Sequence, residues 1–414
     1  MTAVDDPSQV VMDIFSIGEA LGVIHASAED EQLDGRIVTV DGRRTVNFSS
    51  CGYTGLEMHP ALKAAVAEAV HRYGTQFSST RTFLSSPQYP AAEAALTEMF
   101  GRPTAISAST SMGNMSAIPT LVGAGDVVLL DSQVHRSVRM AVKLADAPVH
   151  AIPHSDVDVL ERRIRQLSEQ YDRVWYMADG LYSMFGDFLP AKELSILAER
   201  YPKLWLYVDD AHSISWTGRH GRGHALEQLS PTALQKTVMI ASLNKSFGIA
   251  GGAMTFPDDA MRHRVFSVGW PMIFSGPVPP PMLAGILASA RLHLSAEHSA
   301  VQARVLSLIR LFNAEAAAHR LPVVNQAETP IRYVTTGNTV EGVCLVGRRL
   351  QEAGFFVNTA SYPAVPVKRS GIRIAITAHQ TEADVIGLVQ AVADILASDR
   401  PADEGIAGEA LLSA

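Results

Sequence analysis

The sequence predicts an α/β fold with a large, mainly parallel sheet and a smaller C-terminal α+β domain. Three observations predict it. Short apolar runs alternate with helical patterns along much of the chain, as in a βαβ layer architecture. The runs Val127–Asp131, Val174–Ala178, Leu204–Asp209, Thr237–Ser242 and Ala253–Phe256 are nearly continuous in apolar residues, as strands covered on both faces are. A Pro-rich stretch, Phe274–Pro281, then breaks the alternation, and one long helical segment, Met282–His319, leads into a second series.

Helices are expected over Pro60–Tyr73, Tyr89–Phe100, Met112–Leu121 and Val157–Gln170, the last after a Ser155-Asp156 cap. Beyond the long helix, strands Ile331–Thr335 and Ile372–Thr377 accompany helices Val340–Ala353 and Glu382–Ala397. The organisation reads as an N-terminal segment (1–60), a large α/β domain (61–285), a small α+β domain (286–400) and a tail (401–414). The tail and the first ten residues are expected to be disordered.

Composition narrows the function. A chain of 414 residues is long enough for two domains. With 47% hydrophobic and 18% charged residues it matches a soluble globular enzyme. A net charge of -8 argues against nucleic acid or an anionic membrane as partner. Two cysteines, Cys51 and Cys344, speak against a disulfide framework or a cysteine zinc site. His212, His220 and His224 match no common metal spacing, and TGRHGRG between them reads as a mobile loop, so no metal is expected. No apolar run reaches membrane-span length, and the acidic start MTAVDDPSQV lacks a signal-peptide pattern. A cytoplasmic location is expected.

Two strand ends carry the chemistry. LWLYVDDAH runs from an apolar strand into Asp209 and His212, and MIASLNKSFGIAGG runs from another into Ser242 and Lys245. Neighbouring strands would bring these ends to one crevice. Taken alone, Lys245 is a solvated loop charge and Asp209 a helix cap. Together they suit pyridoxal phosphate (PLP), which needs an amine for a Schiff base and a carboxylate that favours the protonated ring nitrogen. The small polar run SASTSMGN, Ser107–Asn114, opens a helix and could offer backbone amides to a phosphate, or be a simple cap cluster.

The chain resembles the α-oxoamine synthases among the fold-type I PLP enzymes, over about Ile37 to Ala397. The resemblance rests on CGYTGLEMHP (Cys51–Pro60), DSQVHRS (Asp131–Ser137) and DGLYSMFGD (Asp179–Asp187). It continues through VDDAHS (Val208–Ser213), ASLNKSFG (Ala241–Gly248), FSGPVPP (Phe274–Pro280) and GIRIAITAHQT (Gly371–Thr381). FSSTRTFLSSPQY and WPMIFSGPVPP are similar to the branch that makes α-aminoketone signals.

The resemblance implies roles. Lys245 would carry PLP, Asp209 would face the ring nitrogen, His212 the ring hydroxyl, and His135 would stack on the ring. Ser183 would lie near the ring oxygen. Thr110, Ser111, Met112 and Ser242 would hold the phosphate, with Ser275 reaching it from a second subunit of a homodimer. Arg373 would grip the amino-acid carboxylate in a bidentate fork, with Cys51 and Tyr53 beside the substrate. Read without the family, His135 is a helix-start or core histidine, Arg373 a surface ion pair, and Cys51 a structural thiol.

The sequence departs from the family where substrate is bound. Cys51-Gly52 replaces the usual Asn-Asp or Asn-Asn, Tyr89–Glu93 replaces His-x-x-Leu-Glu, Ser109-Thr110-Ser111 replaces Ser-Gly-aromatic, and Ser275-Gly276 replaces Ser-Thr. The resemblance implies decarboxylative condensation of an α-amino acid with an acyl-CoA or acyl-carrier-protein thioester, giving an α-aminoketone. Alternatives are an aminotransferase or lyase on the same scaffold, and a non-catalytic regulator with the same fold.

Overall fold

A computed structural model describes residues 7–337 and 339–398. The central sheet has seven strands. Their spatial order is Thr104–Ser107, Gly252–Thr255, Thr237–Ser242, Leu204–Asp209, Arg173–Asp179, Asp126–Asp131 and Val149–Ile152. Only Gly252–Thr255 among them runs against its neighbours. Side chains alternate across the sheet with the period of two that a strand imposes. Val127, Leu129, Tyr176 and Leu206 pack into one core, while Val128, Trp175, Met177 and Tyr207 pack into the other.

The helices Pro60–Tyr73 and Tyr89–Phe100 have the expected bounds. Each has a proline in its first turn, where no amide partner is lost, and a glycine cap that stops it. The expected helix Met282–His319 is instead two helices, Pro280–His293 and Ala296–Ala318. Ser295, with extended backbone, starts the second, and Glu297 lies in its first turn. That Ser-x-Glu start carries no Gly or Pro and was hidden inside a continuous helical pattern.

Order also begins earlier than expected. A helix spans Pro7–Ala20, so the first ten residues are not uniformly without structure. The tail 401–414 lies outside the described residues. TGRHGRG is tied to its surroundings by hydrogen bonds. Arg219 N and Arg222 Nε donate to Glu227, and Gln302 Nε2 donates to the carbonyls of Ser215 and Gly218.

A second core joins the two ends of the chain. Phe48 and Tyr53 pack with Val305, Phe312, Ile331, Val343, Ile372 and Val389. The hairpin Ile37–Val40/Arg43–Asn47 adds a parallel strand, Phe355–Phe356. A further sheet sets Ile331–Thr335 and Asn358–Ala360 on either side of Gly371–Ala375. The amides of Ala375 and Ala378 donate to the carbonyls of Phe48 and Tyr53, both at 2.8 Å. These bonds hold the segment 48–53 against the strand that carries Arg373. Among the described residues, no helix is long and apolar enough to cross a membrane.

At the break between the two long helices, His293 stacks on Phe247 with ring centroids 4.7 Å apart and lies 4.0 Å from the ring of His298. His293 Nε2 and both His298 ring nitrogens are buried without a well-formed hydrogen bond among the described residues. Burial pushes His298 down to about 4, against the nearby Ser215 backbone, which raises it, and with His220 adding a little. Its folded value lies below the unfolded one, so stability is full above about pH 6.5. It falls as the unfolded chain takes up protons between about pH 6.5 and 4. We expect on the order of 2 kcal/mol of lost unfolding free energy from this residue between about pH 6.5 and 5. Chemical denaturation of wild type and His298→Leu at several pH values checks this. An equal pH slope in both proteins would refute it.

Candidate active site

Parallel pairing sets Asp209 opposite Asp179 on one side and Ile240 on the other. The strand ending in Asp209 and the strand ending in Ser242 are therefore neighbours, as their spacing implies. After Ser242 the chain enters a tight turn. Gly251 N donates to Asn244 Oδ1, and Gly248 N to the Lys245 carbonyl, both at 2.9 Å. The Thr54 hydroxyl donates to the Ser246 carbonyl from across the site. The turn thus fixes where Lys245 points.

Lys245 faces a cavity of about 30 Å³ that Thr110, His135, Asp179, Asp209, Ala211 and His212 also line. Its Nζ lies 2.7 Å from His212 Nε2, and His212 Nδ1 lies 2.8 Å from the Tyr53 hydroxyl. Arg373 NH2 donates to that hydroxyl at 3.3 Å. One hydrogen-bonded line therefore runs Lys245–His212–Tyr53–Arg373. Burial, then the charges of Lys245 and Arg373, push His212 well below its ordinary value, so it is neutral here. Burial also lowers Lys245, and the Arg373 charge adds to that against the opposing Cys51 and Asp209. A larger share of unprotonated, nucleophilic amine follows.

Arg373 is buried at 5% exposure, which rules out a surface ion pair. Its Nε donates to the Ser183 carbonyl at 2.6 Å, and NH2 also approaches Cys51 Sγ at 3.7 Å. Among the described residues no carboxylate pairs with it. A buried guanidinium with no anionic partner suits a substrate carboxylate. Cys51 responds to this setting. Burial alone would raise its thiol, but the charges of Arg373 and Lys245 outweigh burial and bring it down. The thiol is therefore tied to the site electrostatically rather than being only structural.

His135 combines two readings. It caps the helix Arg136–Val142, accepting from Ser137 N at 3.3 Å, and it also lines the Lys245 cavity. Ser109 caps the helix Thr110–Leu121, which starts two residues before the expected Met112. That cap occupies the Met112 amide at 3.2 Å. The Thr110 and Ser111 amides have no acceptor among the described residues, so they, more than Met112, are the donors a phosphate would meet. Gly252 lets this helix start approach. A Cβ there would sit 2.7 Å from Thr110 N. Ser242 pairs in register with Gly252, which sets it near the same end.

Ser275 stands apart. Its hydroxyl donates to the Pro271 carbonyl, and it lines neither cavity at Lys245 within this chain. His220 and His224 also point elsewhere, to the carbonyls of His293 and Leu189.

The structure adds residues that the motifs did not single out. Asn114 Nδ2 donates to Asp209 Oδ2 at 3.1 Å and to Ser137 Oγ at 2.9 Å, while the Tyr207 hydroxyl donates to Asn114 Oδ1 at 2.6 Å. Tyr207 lies two residues before Asp209, the spacing that places both on one face of the strand. Asp179 accepts from His135 N at 2.9 Å. Burial and the neighbouring Asp209 push its carboxyl well above the ordinary value. Two carboxyl groups side by side in a buried slot suit a cationic ring nitrogen. An amine, two carboxyl groups and free helix-start amides together fit PLP.

Residues 43–392 match the model of the aminotransferase class I and II family. The chain is 31% identical over 358 residues to the 8-amino-7-oxononanoate synthase of Symbiobacterium thermophilum, covering 86% of this chain and 89% of that one. It is 33% identical over 360 residues to the enzyme of that name from Azoarcus sp., covering 85% and 88%. Its fold is similar to that of a serine palmitoyltransferase variant from S. paucimobilis with a PLP–myriocin aldimine bound. That match has a TM-score of 0.86 at 23% identity and covers 96% of this chain and 100% of the other.

Proposed function

Because the chain belongs to the class I and II aminotransferase family, in its α-oxoamine synthase branch, we propose that it is a PLP-dependent acyltransferase. It condenses an α-amino acid with an acyl thioester of CoA or a carrier protein, releasing carbon dioxide and the thiol and leaving an α-aminoketone. The observation that carries this reading is the buried Arg373, without a carboxylate partner, two hydrogen-bond links from the His212 that touches Lys245.

PLP, when bound, supplies the electron sink for negative charge on the substrate carbon. The protein's part is placement and proton handling. Arg373 holds the substrate carboxylate and so fixes the angle of the bond that breaks. Lys245 would hold the cofactor through its amine, and that amine is the base placed to move the α-proton. Asp209, aligned by Asn114 and Tyr207, would face the ring nitrogen and favour its protonated form. His212, held by Tyr53, would meet the ring hydroxyl. His135 would lie against the ring, and the Thr110 and Ser111 amides with the Ser242 hydroxyl would hold the phosphate. The complete set Asp209, His212 and Lys245 counts against a non-catalytic role. Incubation with a matrix of amino acids and acyl-CoAs tests the reaction. Thiol release with an aminoketone in the mass spectrum is expected; keto-acid formation without an acyl donor would make it an aminotransferase.

The enzyme is a cytoplasmic homodimer in this reading, with Ser275 completing the partner's phosphate site. The support is apolar surface around Ser275. Phe274 is 75% exposed, Trp270 51%, Phe83 84% and Leu84 61%. The two segments adjoin, since Arg81 lies over the Phe266 ring and Val278 N donates to the Tyr89 hydroxyl. Exposed aromatic and apolar residues gathered in one region mark an interface. A mixed dimer checks it. One subunit carries Lys245→Ala and the other Ser275→Trp. If sites are shared in this way, both defects fall in one site, and each mixed dimer recovers about half of wild-type activity from two nearly inactive parents. No recovery after confirmed subunit exchange would show that each chain builds its own site.

A further inference from the structure

Lys245 also lines a second cavity, of about 280 Å³, with Ser50, Cys51, Gly52, Glu57, Asn244 and Ile249. Lys245 and Cys51 tie it to the site already described, since Cys51 also touches Arg373. The amino-acid carboxylate belongs at Arg373. The larger cavity is what remains for the acyl group, whose carbonyl carbon must reach the substrate carbon beside Lys245.

Glu57 and Lys245 are the charged residues in that lining. With PLP on Lys245, Glu57 is the charge an incoming acyl group meets. The side chain is built into place. It sits in the turn Leu56–Met58, and Oε1 lies 3.0 Å from His379 Nε2. Oε2 is buried and has no hydrogen-bond partner among the described residues. The surrounding glycines are required for this placement. A Cβ on Gly52 would lie 2.8 Å from Oε2, and Cβ atoms on Gly35 and Gly55 would lie 2.4 and 2.8 Å from His379 Nε2. A carboxylate oxygen without a donor repels a second anion brought into the same cavity, and it gains from a neutral or donor-bearing group.

We propose that Glu57 sets the charge preference for the acyl donor, turning away acyl groups with a carboxylate close to the thioester carbonyl and admitting uncharged ones. The proposal rests on the condensation reaction above and narrows its second substrate. Charge exclusion of this kind is how a site rejects a competitor of the same shape.

Two pairs of probes test it on the PLP-loaded enzyme. Butanoyl-CoA and succinyl-CoA, matched in chain length, are compared by kcat/KM with the amino acid that turns over best. The unreactive thioethers S-butyl-CoA and S-(3-carboxypropyl)-CoA are compared by calorimetric affinity. Wild type should favour the neutral member of each pair by about tenfold or more. Glu57→Gln, which keeps the shape, and Glu57→Ala should each shrink both ratios by about tenfold. Equal treatment of the two probes by wild type, or unchanged ratios in both variants, would overturn the proposal while leaving the reaction intact. If neither thioether binds and neither an acyl-CoA nor an acyl-carrier protein releases thiol, the condensation reading fails and this inference falls with it.

Discussion

Lys245→Ala is expected to lose more than about a thousandfold in turnover and to show none of the visible absorbance of lysine-linked PLP. Lys245 occupies a turn fixed at Asn244, Gly248 and Gly251, and its Nζ faces Asp209, Asp179, His135 and His212 across one cavity. Among the described residues, no other lysine lines either cavity. Burial lowers its ordinary value, which increases the amine fraction able to bond a carbonyl carbon. The alanine variant also leaves His212 Nε2 without its partner at 2.7 Å. That costs local order but not the fold, because His212 keeps Tyr53 and its carbonyl still accepts from Trp216. The variant should therefore remain folded, and absorbance and activity can be read on intact protein. A lysine-linked spectrum that survives the substitution would remove Lys245 from the mechanism.

The sequence made the strands Leu204–Asp209 and Thr237–Ser242 legible because both are buried on two faces, so the apolar run ends where the strand ends. Asp209, His212 and Lys245 follow directly from those ends. The short edge strands Thr104–Ser107 and Val149–Ile152 are four residues each and gave no comparable run. The hairpin Ile37–Val40/Arg43–Asn47 draws its third strand from Phe355–Phe356, a pairing no local pattern contains.

In the site, what stayed hidden was mostly tertiary. Asn114 meets Asp209 across 95 residues of sequence, and only the packed helix start brings them together. Asp179 could have been found. It directly follows the expected strand Val174–Ala178, on the strand beside Asp209, and so occupies the same kind of strand end. Arg373 was placed correctly in a strand, but its burial comes from the segment 48–53 that returns from the other end of the chain. Glu57 stood inside a quoted motif. Its importance depends on three glycines making room for a carboxylate and a histidine, which spacing alone does not reveal.

Asp209→Asn should keep PLP and the fold but lose about a hundredfold to a thousandfold in kcat. The substitution preserves shape. Asn114 can still donate to an amide oxygen at position 209, and Tyr207 still orients Asn114. What disappears is the charge that, in the proposed function, would keep a proton on the ring nitrogen, where it would matter most as negative charge develops on the substrate carbon. The loss should therefore appear in kcat, with a smaller change in KM. Asp179 supplies an internal control. Its carboxyl is raised by burial and then by the Asp209 charge. Removing that charge brings its value down, so Asp179 can ionise more readily and replace part of the lost field. Residual activity of Asp209→Asn should rise with pH, and the Asp179→Asn/Asp209→Asn double variant should lack that rise. Wild-type kcat in a folded, PLP-loaded Asp209→Asn protein would rule out Asp209 as the partner of the ring nitrogen. An identical pH profile in the single and double variants would rule out compensation by Asp179.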